Sequence, residues 1–346
     1  MRCSSILPDE TRRYYNYIMI FMIREYKFQF APVIIPTLCR INHFKRCLDS
    51  LNSCEGADFT DVYIALDYPA KESQVAGWKA INDYLDNFES RFKSLTIIRR
   101  DRNYGLGKNG NSDTLLQELK TKYDQYIFSE DDNEFSPNFL LYVNSNLEKY
   151  RNDPNVMSIC GYNYPISIKN YQHDTYVSYQ FSAWGYGTWF AKRELVMYGG
   201  LDFYKNCFKS WRTLWRIFSS EPRMINVALQ LIHENRAAGD STRVLYQIAN
   251  KKVSIFPVLS KVRNWGLDMS GFSKVSKPEL LTQEIDTQKE YNCGDIPMKM
   301  RSDIRKSVSR YFDRSLVSKI AIFFRMVIYK LFGWDFVYFI RENIKK

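Results

Sequence analysis

The stretch Gln125-Tyr126-Ile127-Phe128-Ser129-Glu130-Asp131-Asp132-Asn133 sets a short β-rich run directly against three consecutive carboxylates. The run reads as a strand over 125–129, and its companions lie upstream at Val33–Pro36, Asp61–Leu66 and Ser94–Ile98. Between them Asn42–Leu51, Glu72–Phe88 and Ser112–Lys122 have helical spacing and length, so strand and helix alternate. That alternation predicts an open α/β sheet with mostly parallel strands, in which ligands bind beyond the carboxyl ends of the strands. Those ends are Pro36 to Arg40, Asp67 to Pro69, Arg99 to Gly110 and Glu130 to Glu134. Further on, a helix over Asn138–Tyr150, with Ser136 as its cap and Pro137 in its first turn, leads to a strand at Val156–Gly161. The aromatic segment Tyr176–Phe190, a mainly helical region over 191–250 and a strand at Lys252–Phe256 follow.

Adjacent carboxylates repel, and stacking them at a strand end is costly unless a cation or a set of donors compensates. Oxygen ligands without His or Cys favour Mg²⁺ or Mn²⁺, whose open coordination positions phosphate oxygens can fill. The whole chain of 346 residues has only three His, which argues against a multi-His metal site. The alternative, a solvated acidic turn that caps the next helix, is compatible with a metal role.

Gly105-Leu106-Gly107-Lys108-Asn109-Gly110 satisfies G-x-G-x-x-G between a strand and a helix. The dinucleotide fingerprint opens the first βα unit, however, and here two such units precede the loop. A nicotinamide or flavin site is therefore disfavoured. The preferred use is a loop whose backbone N–H groups and Lys108 approach a nucleotide sugar.

Hydrophobic residues make up 45% of the chain and charged residues 25%, so it can bury a large core and is not disordered as a whole. Seven scattered cysteines without a C-x-x-C pair suggest neither a disulfide framework nor a zinc ribbon, and a reducing compartment is expected. The apolar run Tyr17 to Ile23 is short and follows Asp9 and Glu10, which makes a poor signal peptide, and no uncharged apolar stretch is long enough to span a bilayer. The net charge is +11, and residues 301–346 hold eleven Lys or Arg against Asp303, Asp313, Asp335 and Glu342, a local net of +7.

Val33-Ile34-Ile35-Pro36-Thr37 with Arg40, then Arg46-Cys47-Leu48-Asp49-Ser50-Leu51, resembles the opening of the family 2 type GT-A glycosyltransferases. The resemblance continues through Arg102-Asn103-Tyr104-Gly105-Leu106-Gly107 to Ser129-Glu130-Asp131-Asp132. The E-D-D form, followed by Ser136-Pro137-Asn138-Phe139, is especially similar to the N-acetylglucosaminyltransferase I group. Further matches are Ser158 to Asn163, Trp184 to Trp189 and Val262 to Gly271, so the order holds over roughly residues 31–273.

This resemblance implies the GT-A fold and a metal-dependent, inverting transfer of sugar from a nucleotide-sugar donor, UDP-linked by preference. Asp132 would bind Mn²⁺ or Mg²⁺, while Glu130 and Asp131 contact the donor's sugar and ribose. Asp67 would contact the base or ribose, and Pro36, Thr37 and Arg40 would line the nucleotide pocket, with Asn103, Gly105 and Lys108 on its loop side. Asp240, in Gly239-Asp240-Ser241-Thr242, is the first choice of general base, with Glu234 and Asp202 in reserve; its alternative role is helix capping. Trp184, Tyr186, Trp189 and Trp265 are candidates for stacking on sugar faces or, equally, for core packing. Asp268-Met269-Ser270-Gly271-Phe272-Ser273 departs from the family's D-G-S-G and following His, which puts a histidine metal ligand there in doubt.

The domain expectation is an N-terminal extension over 1–28, a GT-A catalytic domain over 29–275 and a basic amphipathic helical region over 276–346. The last region mixes aromatic and aliphatic residues with cations, as an interfacial helix needs, although a helical pair packed on the catalytic domain is the alternative. The expected setting is surface polysaccharide or glycolipid synthesis on a glycan or lipid-linked acceptor, in the cytoplasm or peripherally on the inner face of the membrane. The rival readings are a nucleotidyltransferase, which lacks its Gly-rich loop after strand one, and a non-catalytic glycan-binding protein. No nucleic-acid-binding signature is present.

Overall fold

A computed structural model describes residues 29–197, 199–235, 239–271, 278–312 and 315–344. The expected N-terminal extension, including Tyr17 to Ile23, lies outside the described residues, as do Phe272 and Ser273. The sheet has eight strands: β1 (Val33–Thr37), β2 (Asp61–Leu66), β3 (Ser94–Arg99), β4 (Gln125–Phe128), β6 (Val156–Cys160), β7 (Thr175–Ser178), β8 (Tyr186–Trp189) and β9 (Val253–Pro257). Their order is β3-β2-β1-β4-β8-β6-β9-β7. The first four pair in parallel, β8 is antiparallel to both β4 and β6, and β7 runs antiparallel to β9 along the far edge. The expected open mixed α/β sheet flanked by helices is therefore the architecture found.

Alternate side chains of each strand enter different cores, as period-2 geometry requires. Val33, Ile35, Ile64 and Ile127 join one cluster, and Ile34, Ala65 and Tyr126 join the other. The first core is covered by α1 (Ile41–Asn52), α2 (Val75–Asp86) and α4 (Phe139–Lys149). Opposite stand α3 (Asn111–Leu119) and the helical array of α5 (Phe190–Met197), α6 (Gly200–Lys209), α7 (Trp211–Ser220), α8 (Arg223–His233) and α9 (Gly239–Asn250). Strands buried on both faces read as near-continuous apolar runs, which is why β1 and β2 were legible in the sequence. Edge strand β3 instead alternates, with Ser94, Thr96 and Arg99 exposed.

Two features differ from expectation. Helix α4 begins later than expected: Asn138, not Ser136, is the N-cap, and the Asn138 side chain makes no capping bond. It donates instead to Asp286 (2.9 Å) and to the Glu290 carbonyl (2.9 Å), so a tertiary contact displaces the local one. The second is a small sheet in which β5 (Asn133–Phe135) pairs antiparallel with β10 (Val262–Asn264), bringing residues 262–271 over the acidic turn. Strands of three residues carry no usable periodicity.

After the short α10 (Pro278–Leu281), residues 282–300 run back along the domain, where Tyr291 accepts from Asn146 (2.8 Å) and Gln283 donates to the Asn163 carbonyl (2.6 Å). Helices α11 (Ser302–Tyr311) and α12 (Leu316–Ile344) then add Ile304, Val308, Ile322 and Met326 to the second core. Helix α12 is broken at Gly333, which has φ 76°.

Candidate functional site

The site starts where β1 and β4 part. The Pro32 and Ile34 carbonyls accept from Ile127 (2.8 Å) and Ser129 (3.0 Å). Pro36 comes next on that side and has no N–H to continue the ladder. The chain after β4 is thus free to turn away, and the crevice that opens there lies at the switch point of the sheet, between strands whose connections run in opposite directions.

Glu130, Asp131 and Asp132 occupy this turn. Asp131 and Asp132 are buried and Glu130 is half-buried. Thr37 donates to Asp131 (2.9 Å), and the guanidinium of Arg40, the N-cap residue of α1, bonds both Asp131 and Asp132, the latter at 2.7 Å. Burial alone would lower the Arg40 pKa, but the two carboxylates outweigh it and hold the guanidinium protonated. Its second terminal nitrogen, Nη1, is buried without a hydrogen-bond partner. Burial raises the Asp131 carboxyl, against Arg40 and with the charge of Asp132. Burial, followed by the charges of Asp132, Asp240 and Asp131, likewise pushes Glu130 above its ordinary value.

The strand pair β5–β10 supplies what the sequence reading missed. Asn264 donates to Asp132 Oδ1 (2.6 Å) and to Asn133 (3.0 Å), and the Trp265 amide donates to the Asp132 carbonyl (2.8 Å). A Cβ on Gly266 would stand 2.0 Å from Asp132 Oδ2 and 3.3 Å from Arg40 Nη1, so only glycine lets this segment close over the carboxylate. His43, on α1, meets Asp268 at 3.1 Å and the Trp265 carbonyl at 3.3 Å, so an imidazole does approach this segment, from a different element than the family pattern suggests. Val262 to Gly271 is among the stretches that carry the family resemblance, but nothing local shows that Asn264 and Gly266 meet Asp132 or that His43 faces this segment; that depends on a strand pairing across about 130 residues.

Asp67 follows β2, with its amide donating to the Thr37 carbonyl (2.9 Å). Its carboxylate accepts from the amides of Tyr104 (2.8 Å) and Gly105 (2.9 Å) and from Asn103 (3.4 Å), so it anchors the glycine loop to the strand end. Gly105 and Gly107 have φ of 64° and 91°, and Gly110 packs where a Cβ would strike the Gly105 carbonyl at 2.7 Å. Lys108 is exposed on this loop.

Asp240 lies in the first turn of α9, inside the helix rather than capping it from outside. Water reaches its side chain, yet the surrounding walls raise its carboxyl above the ordinary value while Arg243 pulls the other way. Its charge is among those acting on Glu130, so the structure brings it into electrostatic range of the acidic turn. Asp202 is exposed on α6, and Glu234 is exposed beyond α8, where Gln230 donates to it (2.6 Å). Of the aromatic candidates, Tyr186 and Trp189 are buried in the core. Trp184 packs edge-on against Tyr162, and Trp265 is half-buried under Arg46, whose guanidinium carbon stands 4.0 Å from the ring centroid.

Among the described residues no three carboxylate, imidazole or thiol groups converge into a ready-made metal cage. The donor set nevertheless suits a hard divalent cation. Glu130, Asp131, Asp132 and Asp240 act on one another or on Arg40 and Arg243 electrostatically, four negative groups against two cations. Mg²⁺ and Mn²⁺ sites of this kind are completed by substrate phosphates and water.

No family profile matches the chain, and no curated protein is significantly similar to it. Solved structures similar in fold include the mannosyltransferase PcManGT from Pyrobaculum calidifontis in complex with GDP-Man and Mn²⁺, with 13% identity, 69% of this chain and 78% of that one covered, and a TM-score of 0.35. S. aureus TarS residues 1–349 in complex with UDP-GlcNAc has 13% identity over 66% of this chain and 55% of that one, with a TM-score of 0.34. The longer S. aureus TarS has 14% identity, 66% and 35% coverage and a TM-score of 0.31. At such identities and scores the likeness does not decide the activity.

Proposed function

We propose that this chain is a GT-A glycosyltransferase that moves a sugar from a nucleoside-diphosphate sugar to a hydroxyl acceptor on a glycan or lipid-linked saccharide, with inversion. The observation that carries the reading is the run of three carboxylates at the switch point of an open sheet, held by Arg40 and faced by Asp240. In this reading Asp132 would hold Mn²⁺ or Mg²⁺, which would supply charge neutralisation for the departing diphosphate, and Glu130 contacts the donor's sugar. The buried, unpartnered Nη1 of Arg40 offers a donor to a diphosphate oxygen. Asp67, Asn103 and Gly105 shape the wall for the base and ribose, with Pro36 and Thr37 as its floor and Lys108 at its rim. Asp131, already bonded to Thr37 and Arg40, fixes the floor's geometry and takes the ribose. Asp240, raised by its surroundings, accepts the proton of the acceptor hydroxyl as the new C–O bond forms and the bond to diphosphate breaks.

The test is calorimetric titration of UDP, UDP-GlcNAc and GDP into the wild type and Asp132→Asn, with Mn²⁺ or with EDTA. Metal-dependent binding of one nucleotide, weakened by the substitution, supports the reading and names the donor base. A folded protein that binds none of them under any metal condition sinks it and favours the glycan-binding alternative.

A further inference from the structure

Helix α12 is apolar on two sides. Ile322 and Met326 turn inward to the second core, whereas Leu316, Ile320, Phe324 and Ile328, spaced by four, turn outward with exposures of 73, 48, 59 and 41%. Leu331 and Phe332 extend this stripe at 63 and 57%. A helix apolar all round belongs against a partner on both sides, and Leu316, Ile320, Phe324 and Ile328 on the outer side are exposed.

The stripe is not isolated. Trp211 and Trp215, one turn apart on α7, are 47 and 57% exposed. They join α12 through Trp215 to Phe218 (ring centroids 5.9 Å), Phe218 to Phe323 (5.7 Å), and Lys330 Nζ above Trp211 (6.0 Å). The two helices therefore present one surface, mixing aliphatic residues with indoles, which favour a boundary between water and hydrocarbon.

The charge on this surface has one sign. Beside the stripe the cations are Arg325 and Lys330 on α12 and Arg212 on α7, and neither 315–334 nor 211–220 contains Asp or Glu; Lys319 turns instead to a pocket beside Glu221 and Ile322, and Arg216 donates to the Ala249 carbonyl. Arg325 and Lys330 are held at the border by Asn226 (2.6 Å) and the Lys209 carbonyl (2.8 Å). A second copy of the chain would have to bring these like charges together across a two-fold axis, which opposes dimerisation. No described helix is long and apolar enough to cross a membrane, so the element suits lying on one.

We infer that the α7–α12 face is a docking surface for an anionic lipid bilayer, with Trp211, Trp215 and the outer stripe of α12 entering the headgroup boundary and the flanking cations meeting the lipid phosphates. This goes beyond the transferase reading and stands without it.

The test is co-sedimentation of the full chain with phosphatidylcholine vesicles, with and without phosphatidylglycerol, together with tryptophan quenching by brominated acyl chains. Binding only to the anionic vesicles, weakened by high salt and by about fivefold in Arg212→Gln, is expected. Phe324→Ser with Ile328→Ser should abolish binding while leaving the thermal midpoint unchanged, since both side chains are exposed. Trp211→Phe with Trp215→Phe should bind yet show reduced quenching. Equal binding to neutral vesicles overturns the assignment, as does quenching undiminished by the tryptophan replacement. Absence of vesicle binding, with a dimer that Phe324→Ser dissociates, overturns it in favour of a second copy as the occupant.

Discussion

Gly266→Ala tests how the 262–271 segment holds the acidic turn. Gly266 does not have a positive φ, so alanine meets no backbone penalty and acts only through its methyl group. That methyl would lie 2.0 Å from Asp132 Oδ2 and 2.8 Å from its Cγ. Ordinary contact requires the carboxylate to retreat by roughly 1–1.5 Å. The bonds from Asn264 (2.6 Å) and Arg40 (2.7 Å) cannot both survive such a shift. Hydrogen bonds to a charged group contribute about 1.5–3 kcal/mol each, and partial relaxation leaves a net loss of about 2–3 kcal/mol. The urea midpoint should fall with an unchanged m-value. On the role proposed for Asp132, displacing its carboxylate by this much should weaken Mn²⁺-dependent nucleotide binding by about 100-fold. Gly294→Ala is the control, because no atom lies within 4 Å of the point its methyl group would occupy. If Gly266→Ala matches wild type in both the urea midpoint and nucleotide affinity, Asp132 is not held as described and the site argument fails.

Three further outcomes follow from the geometry. Asp240→Asn should keep donor binding and lower transfer by roughly 10²–10⁴-fold, measured as released nucleoside diphosphate once an acceptor is in hand; an unchanged rate would remove Asp240 as the base. Asp286→Ala should cost about 3–5 kcal/mol in urea unfolding, because it strands the ammonium of Lys261, which is only 4% exposed. A loss below about 1 kcal/mol would contradict the pairing. Acid stability should depend on Asp61 and Asp286, whose carboxyls are held below their ordinary values by Ser94 and Lys93 and by Lys261 and Asn138, against burial. A carboxyl depressed in the folded state stabilises fully above its unfolded pKa and loses that contribution as pH falls through the folded one. The thermal midpoint should therefore drop as pH falls below the ordinary carboxylate range, with a shallower drop in Asp61→Asn; a parallel drop in that variant counts against the assignment.

Much of the frame was legible because many residues voted for the same local pattern. Val33 to Thr37 and Asp61 to Leu66 sit between two cores, so their apolar runs are unbroken, and Phe44, Cys47, Leu48 and Leu51 mark one face of α1 at helical spacing. The acidic turn was legible for a related reason: three carboxylates directly after a buried strand have no cheap structural use. The cap of α4 was misread because Ser136 and Pro137 form a sound local signal, yet Asn138 is claimed by Asp286 and Glu290, nearly 150 residues away.

The sequence by itself determined the alternation of strand and helix, the faces those elements bury and the place of Glu130, Asp131 and Asp132 at a strand end, because each follows from neighbours within one or two turns. Only the tertiary structure decided that β8 enters antiparallel between β4 and β6, that β5 pairs with β10, and that Asn264 and Gly266 close on Asp132. It alone also brought the charge of Asp240 to bear on Glu130 and joined the tryptophans of α7 to the outer stripe of α12. Most of these contacts link segments separated by about 100 residues or more. Their choice of partner is set by how whole layers pack, which no local periodicity encodes.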